Sequence, residues 1–479
     1  MKYLNDYELV CGLEVHAELK TASKIFCSCP TKFGAEPNTQ CCPVCSGMPG
    51  ALPVLNRQVV ELAVRAGLAL NCGIARFSRE DRKNYFYPDL PKAYQISQFD
   101  RPLCEGGFVD VETESGKKRI GVTRIHIEED AGKLIHDHDK GTLIDLNRCG
   151  VPLIEIVSEP DIRSPEEASG YVRKLRSILL CAGVSDCKMN EGSLRCDVNL
   201  SVRKRGETKL GTRTEMKNLN SFSFIEKAIE YEYRRQVELI ESGGRVLQET
   251  RRFDPASGKT FTMRVKENAD DYRYFPDPDL PPIILTGGEI ERIRRDIPRL
   301  PDERRADYTE RLGLTSKDAE QIVSDPAVAD YFEAAAKLTT YPKILANLLL
   351  GELFSLLPAG EDIAIPIAPE KLASVAEMSG SGRINSTTAK KLVRMLCDSP
   401  DGDPETIVRE RGLEQIRDEA VLRGYVERAV AADPKAVASY RAGKLSAAKS
   451  IMGRIMAETG GRGDPVILDR LLSEALKKG

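Results

Sequence analysis

The first alternating stretch of the chain carries two carboxylates and an imidazole that could bind a divalent cation. Residues 9–20 alternate with a period of two, so Glu14, His16 and Glu18 share one face of a predicted strand. Carboxylate oxygens suit magnesium, and imidazole is a common ligand of divalent metals. A strand with a solvated polar face explains the same alternation. The prediction of a metal site therefore depends on whether the pattern recurs.

Four later segments repeat this pattern of polar residues on one face. The polar-face residues are Arg124, His126, Glu128 and Asp130 in residues 123–133, Glu155 in residues 152–160, Arg195, Asp197, Asn199, Ser201 and Arg203 in residues 192–203, and Arg213, Glu215 and Lys217 in residues 212–220. Glu129 falls on the opposite side unless a bulge or a strand end turns it. We therefore predict one sheet whose polar face is the floor of a cavity for a charged, metal-bearing ligand.

Glu155 stands alone in an apolar run of its predicted strand. Burying an unpaired carboxylate costs several kcal/mol of folding free energy, so a positive charge must compensate it. A metal cation and a buried arginine are the two alternatives.

Four cysteines near the N terminus have the spacing of a zinc site. Cys42-x-x-Cys45 is the spacing of a zinc knuckle, and Cys27-x-Cys29 can supply the other two thiolates of a tetrahedral site. The neighbouring Cys41 lacks the two-residue spacing. We predict a closed, structural zinc site at Cys27, Cys29, Cys42 and Cys45, with buried or reactive metal-free thiols as the alternative.

Length and composition favour a globular protein of several domains. A chain of 479 residues exceeds one ordinary hydrophobic core, and 30% charged with 41% hydrophobic residues is typical of globular proteins. A net charge of -3 gives no overall nucleic-acid signature, so an RNA site would be a local patch. The N-terminal residues lack the apolar core of a signal peptide, and the apolar stretches are too short to cross a bilayer. We expect a cytoplasmic protein that does not enter a membrane.

The sequence pattern changes near residue 292. Before that point, capping and glycine signals predict helices at residues 57–70, 164–183 and 223–243. After it, Asp-Pro pairs at residues 325–326, 403–404, 433–434 and 464–465 predict helix starts. We predict an α+β fold with an antiparallel-sheet domain over residues 1–292, an all-α helical domain over 293–400 and a small all-α tail over 401–479. The basic excess of the tail suits RNA contact, although an ordinary basic helical face has the same composition.

Five specific motifs follow one another along the chain, Val10–His16, Asp81–Pro88, Pro91–Ser97, Pro152–Asp161 and Asp271–Pro276. Together they resemble the GatB/GatE family, to which the GatB subunits of tRNA-dependent amidotransferases belong. The resemblance covers residues 10 to about 282, with a looser match to the end. It implies a cradle domain of the glutamine-synthetase-like type, a helical domain and a YqeY-like, tRNA-binding tail.

The resemblance also implies an activity, which is that of a carbon–nitrogen ligase with glutamine as amide donor. The expected reaction is ATP-dependent phosphorylation of the side-chain carboxylate of glutamate or aspartate misacylated on tRNA(Gln) or tRNA(Asn), followed by amidation with ammonia. The ammonia would come from the amidase GatA in a heterotrimer that also contains the small protein GatC. A zinc-bearing adaptor that only binds tRNA and an enzyme that acts on free amino acid are the alternatives.

By position, the resemblance assigns roles to residues of this chain. His16, Glu155 and either Glu128 or Glu129 are the expected catalytic Mg²⁺ ligands, with Glu14 in or behind that shell. The expected ATP contacts are Arg195, Arg213, Glu215, Lys217 and Arg273, and the expected ammonia path runs along Lys83 and Lys92.

Overall fold

The computed structural model describes residues 4–113, 116–137, 139–265, 272–357, 363–442 and 444–477, and the chain divides into two compact units, 1–303 and 304–479. The first unit combines a large sheet with helices, and the described residues of the second are helical. This arrangement confirms the predicted α+β class. The predicted boundaries at residues 292 and 400 stay predictions.

The strands of the first unit follow the period-two pattern of the sequence. In chain order they are β1 (Tyr7–Glu18), β2 (Gly73–Ile74), β3 (Phe77–Ser78), β4 (Asp81–Asn84), β5 (Tyr94–Ser97), β6 (Cys104–Thr113), β7 (Gly116–Glu129), β8 (Lys133–Asp137), β9 (Gly141–Asp145), β10 (Pro152–Ser158), β11 (Leu194–Lys204), β12 (Thr214–Lys217), β13 (Glu249–Asp254), β14 (Lys259–Val265), β15 (Phe275–Pro276) and β16 (Ile283–Ile284).

Nine of these strands form one sheet in the order β14-β13-β12-β11-β1-β10-β7-β6-β2. The five strands with charged faces, β12, β11, β1, β10 and β7, are therefore direct neighbours. Every strand pair of this sheet is antiparallel except β12 and β13, which run parallel. The sheet is therefore mixed, whereas the sequence predicted an antiparallel sheet. Smaller sheets join β15-β4-β5, β16-β3 and β8-β9.

Three helices pack on the apolar face of the sheet, α1 (Arg57–Ala69), α2 (Pro165–Cys181) and α3 (Phe222–Glu241). Ser164 caps α2 as predicted, since its hydroxyl accepts a hydrogen bond of 3.1 Å from the amide of Glu167. Helix α3 begins at Phe222, one residue before the predicted start at residue 223. Ser221 caps it, because its backbone is extended and its hydroxyl accepts a hydrogen bond from the amide of Phe224.

The remaining helices lie after the sheet. They are α4 (Gly287–Arg295), α5 (Pro301–Glu310), α6 (Ser316–Val323), α7 (Pro326–Ala336), α8 (Pro342–Asn347), a π-helical stretch (Leu348–Leu353), α9 (Phe354–Leu356), α10 (Pro369–Gly380), α11 (Ser386–Asp398), α12 (Pro404–Glu410), α13 (Glu419–Ala432), α14 (Pro434–Arg441), α15 (Ala447–Glu458) and α16 (Pro465–Lys477). A short 3-10 helix, Leu4–Asp6, precedes β1.

The four Asp-Pro pairs begin helices α7, α12, α14 and α16 as predicted. In each pair the aspartate accepts a hydrogen bond from an amide of the first turn, and proline occupies the first helical position. Buried apolar side chains of the second unit form two clusters, within residues 308–408 and 422–476. Every helix among the described residues is too short or too polar to traverse a lipid bilayer.

Candidate active site

Strand pairing brings two histidines and two glutamates together on the polar face of the sheet. His16 of β1 is paired with Glu155 of β10, which is paired in turn with His126 of β7. His16 Nε2 lies 3.3 Å from Glu155 Oε2 and 3.5 Å from Glu128 Oε1. Ligand atoms of His16, Glu128 and Glu155 all lie within 4.8 Å of one another, so these side chains can share one small cation.

We call these three side chains the metal cluster. Glu128 is buried and His16 and Glu155 are half-buried, so the three groups affect one another's protonation. Burial lowers the pKa of His16, but its hydrogen bond with Glu155 and the nearby carboxylate charges outweigh burial and raise that pKa to about 9. Burial raises the pKa of Glu155, but the charge of His126 and the two imidazole hydrogen bonds hold it well below its ordinary value. Protonated imidazole therefore balances the carboxylate charge, and a divalent cation bound by the same side chains would displace the proton of His16.

His126 belongs to this cluster, although sequence reasoning did not select it as a ligand. Its Nε2 lies 3.4 Å from Glu155 Oε2 and 3.7 Å from Glu128 Oε2. Its Nδ1 is buried and has no hydrogen-bond partner in the part of the chain described. The sequence signal that could have identified His126 is the alternation of β7, which puts residues 126 and 128 on one face.

A second acidic cluster lies next to the first on the same face. Carboxylate oxygens of Glu14, Asp197 and Glu215 lie within 4.8 Å of one another. Lys217 Nζ lies 2.5 Å from Asp197 Oδ2 and 3.5 Å from Glu215 Oε1, and Asn199 Nδ2 donates to Glu14 Oε1 at 2.8 Å. The structure thus places Glu14 with Asp197, which sequence reasoning had put on the polar face without a role.

A cavity of about 550 Å³ adjoins this second cluster. It lies over the middle of β1, and Glu14 lines one side. Its other polar groups include Ser158, Asn199 and Arg213, while Gly12 leaves its floor open. A ligand with hydroxyl and anionic groups fits such a lining.

The four predicted cysteines form a separate cluster in the same unit. Sulfur atoms of Cys27, Cys29, Cys42 and Cys45 lie within 4.8 Å of one another, and the Cys42 and Cys45 sulfurs are 4.0 Å apart. Sulfurs bound tetrahedrally at about 2.3 Å from a metal would be about 3.8 Å apart. All thirteen cysteines are described and carry free thiols. The cluster can therefore hold a tetrahedral metal ion.

Lys24 lies against this cysteine cluster, a contact that sequence reasoning missed. Its side chain is completely buried, and its Nζ lies 3.5 Å from Cys45 Sγ and 2.7 Å from the carbonyl oxygen of Gln40. A hydrogen bond from the Cys27 thiol lowers the pKa of Cys45 to about 4. A buried ammonium beside a thiolate supports an anionic sulfur cluster, as a metal tetrathiolate would be. No residue spacing in the sequence identifies Lys24 as a neighbour of the cysteines.

Comparison with known families decides the assignment. A model of the GatB/GatE catalytic domain matches residues 9–291, and a model of the GatB domain of the YqeY type matches residues 330–476. The chain belongs to the GatB/GatE family. The metal cluster, the second acidic cluster and the cysteine cluster all lie within the match to the catalytic domain.

Curated GatB relatives match along almost the whole chain. The protein of Caldicellulosiruptor saccharolyticus is 54% identical over 479 residues, which are 99% of this chain and all of the relative. The proteins of Anaeromyxobacter and Carboxydothermus hydrogenoformans are 52% and 50% identical, and each match covers 99% of this chain. All three are named as the B subunit of aspartyl/glutamyl-tRNA(Asn/Gln) amidotransferase.

Other residues predicted from the GatB/GatE resemblance have different surroundings in the structure. Arg195 is paired with His16 across β11 and β1, and its Nη2 lies 2.7 Å from Asp130 Oδ2. Burial lowers the pKa of Lys83, but the charges of Glu128 and other neighbours outweigh burial and raise it. Arg273 is exposed and lies in neither acidic cluster. Of the motif 271–276, residue 271 lies outside the described residues.

Glu129 is held apart from the metal cluster. Its carboxylate contacts the ammonium of Lys92 and accepts a hydrogen bond of 2.9 Å from the amide of Ile96. The pairing of β7 with β10 is regular from Val157 to Pro152, so no bulge turns Glu129 toward His16. The structure therefore brings Glu128, rather than Glu129, to the metal cluster.

This difference predicts opposite effects for two neighbouring substitutions. We expect Glu128→Gln to weaken binding of Mn²⁺, used as a probe for Mg²⁺, by at least about tenfold, because it removes a charged ligand. We expect Glu129→Gln to leave Mn²⁺ binding within about threefold but to lower the free energy of unfolding by about 3 kcal/mol, because Lys92 loses its buried partner. Mn²⁺ titration and chemical denaturation of each variant measure these effects. If only the Glu129 variant lost Mn²⁺ binding, the assignment of Glu128 as the metal ligand would be contradicted.

Proposed function

We propose that the chain is the component of a tRNA-dependent amidotransferase that activates and amidates the amino acid of misacylated Glu-tRNA(Gln) or Asp-tRNA(Asn). It uses ATP to phosphorylate the side-chain carboxylate, and ammonia then displaces phosphate to give Gln-tRNA(Gln) or Asn-tRNA(Asn). The observation that carries this proposal is the cluster of His16, Glu128 and Glu155 on the polar face of a GatB/GatE catalytic domain. The names of the relatives support the same reaction.

The residues in and around the metal cluster would have different roles in phosphoryl transfer. A Mg²⁺ ion held by His16, Glu128 and Glu155 would neutralise charge on the transferred phosphoryl group. The cationic side chain of Lys83 lies in the field of these glutamates and can stabilise charge on the acyl phosphate and the leaving phosphate.

The second acidic cluster and the adjoining cavity suit the rest of the nucleotide. Glu14, Asp197 and Glu215 can hold a further Mg²⁺ on the polyphosphate, while Lys217 and Arg213 supply positive charge. The four residue-to-residue steps of β1 from His16 to Gly12 span about 13 Å. An extended ATP along β1 would thus place its γ-phosphate at the metal cluster and its nucleoside in the cavity.

The other parts of the proposal concern fold, partners and the structural metal. The cradle is of the glutamine-synthetase-like type, and the YqeY-type tail binds tRNA. Ammonia arrives from the amidase GatA of a cytoplasmic heterotrimer, completed by GatC, along a path past Lys83 and Lys92. The four cysteines hold structural Zn²⁺, because the tetrahedral spacing and the four thiolates match that ion.

An amidation assay on the assembled complex tests the proposed function. With misacylated tRNA, ATP, Mg²⁺ and ammonium chloride, we expect ATP hydrolysis coupled to formation of amidated aminoacyl-tRNA. Uncharged tRNA and magnesium-free buffer are the controls, and each should abolish coupled turnover. Binding of tRNA without ATP hydrolysis would favour the adaptor alternative. Turnover with free glutamate would favour an enzyme that acts on the amino acid.

A further inference from the structure

Four aromatic side chains form a continuous row beside the metal cluster, which we call the aromatic lane. Tyr85 and Tyr272 meet edge-to-face with ring centroids 6.0 Å apart, and Tyr272 meets Tyr274 in the same way at 6.1 Å. Tyr274 stacks on Phe99 with centroids 4.2 Å apart and ring planes 7° from parallel. The row is therefore assembled from three separate segments of the chain.

The lane ends on the surface. Phe99 is 43% exposed although its ring stacks on Tyr274, and the nearby Phe86 and Phe275 of the same segments are also exposed. Burial of aromatic surface is favourable, so a large exposed apolar group beside a charged cleft is a feature that binding would use. A flat ring that already stacks on one face can accept a second flat group on the other.

The Phe99 end of the lane also lies close to the metal cluster. Arg124, two residues before His126 on β7, donates a hydrogen bond of 2.8 Å to the carbonyl oxygen of Phe99. Ser97, two residues before Phe99, contacts Glu128 Oε2 at 3.4 Å. Lys83 Nζ lies 5.2 Å from the ring centroid of Tyr272. A molecule that stacks on Phe99 thus lies close to the proposed Mg²⁺ site.

The charged residues around the aromatic lane indicate which kind of ligand binds to it. Lys83, Arg124 and Arg273 accompany the rings, and aromatic rings interleaved with cations are the pattern that binds single-stranded nucleic acid. The bases stack on the rings while the cations meet the phosphates. A tRNA ends in unpaired nucleotides, and its aminoacyl group must reach the metal cluster.

We propose that the aromatic lane binds the unpaired 3′ end of the misacylated tRNA by stacking a base on the outer face of Phe99, whose inner face lies on Tyr274. This inference rests on the proposed function, because it needs the aminoacyl end at His16, Glu128 and Glu155. Stacking accepts any base, so the lane positions the acceptor end without selecting between the two tRNAs.

The test uses the assembled complex and a misacylated tRNA with 2-aminopurine in place of the base before the terminal nucleotide. We expect its fluorescence to be quenched on binding, because stacking quenches this base. We expect Phe99→Leu to abolish the quenching and to lower kcat/KM for misacylated tRNA by about tenfold, since one stacked base is lost. Phe99→Tyr should retain both. The control is Phe261→Leu, because Phe261 is 50% exposed on β14 and lies outside the lane.

The possible outcomes separate this inference from the proposed function. Amidation by the unmodified complex with no effect of Phe99→Leu on quenching or kcat/KM would refute the lane and leave the function in place. Quenching that depends on Phe99 without any ATP-coupled amidation would refute the function and leave RNA stacking in place. Loss of the co-purifying amidase in Phe99→Leu would assign the lane to a protein contact and overturn the proposal.

Discussion

Substitution of Glu155 by Gln is expected to abolish ATP-dependent amidation, with kcat lowered at least about a hundredfold, while tRNA affinity stays unchanged. Glu155 occupies the centre of the paired row, and its Oε2 lies 3.3 Å from His16 and 3.4 Å from His126. Gln keeps the shape of the side chain and removes its charge. The site then lacks one anionic ligand, and the field that binds Mg²⁺ is weakened.

The measurement is the rate of amide formation on misacylated tRNA by the complex, with tRNA affinity determined separately. Glu159→Gln provides a matched control, because Glu159 lies four residues further along in the same motif. Its side chain is exposed and accepts a hydrogen bond from Thr123 instead of facing the metal cluster. We expect the control to retain amidation. A Glu155 variant as fast as the unmodified complex would remove the proposed metal cluster from the mechanism.

The parts of this site that sequence could predict are those set by strand alternation. A period of two places His16 on the polar face of β1 whatever its neighbours are, because side chains of a strand alternate in direction. The same rule puts Glu128 and Glu129 on opposite faces, and the choice between them that sequence left open depends on the regular pairing of β7 with β10. An alternating strand thus carries information about faces that does not depend on tertiary structure.

The parts that sequence could not predict depend on which strands become neighbours. The meeting of Glu14 with Asp197 requires β1 to pair with β11, whose sequence lies about 180 residues away, and alternation contains no such information. The parallel pairing of β12 with β13 was missed for the same reason. Lys24 was missed because a lysine is expected on the surface, and only the folded chain places it against Cys45.

Substitution of Cys42 by Ser is expected to remove the metal from the cysteine cluster. We expect the unmodified protein to carry about one Zn²⁺ per chain and the Cys42 variant almost none, because a tetrahedral site with three thiolates binds far more weakly. Structural zinc contributes about 10–16 kcal/mol of binding free energy in small zinc-finger peptides. Its loss should therefore unfold the segment around residues 24–50, measured by metal analysis together with proteolysis of that segment.

The neighbouring Cys41 supplies a control that differs by a single position. Its thiol donates to the carbonyl oxygen of Asn38 and lies outside the group of four sulfurs, so we expect Cys41→Ser to retain zinc and resistance to proteolysis. If Cys41→Ser lost its zinc and Cys42→Ser kept it, the proposed ligand set would be contradicted. Zinc-free protein from zinc-supplemented cells would leave only thiols beside Lys24. That outcome would refute the zinc site and leave the Cys45 thiolate as the negative partner of the Lys24 ammonium.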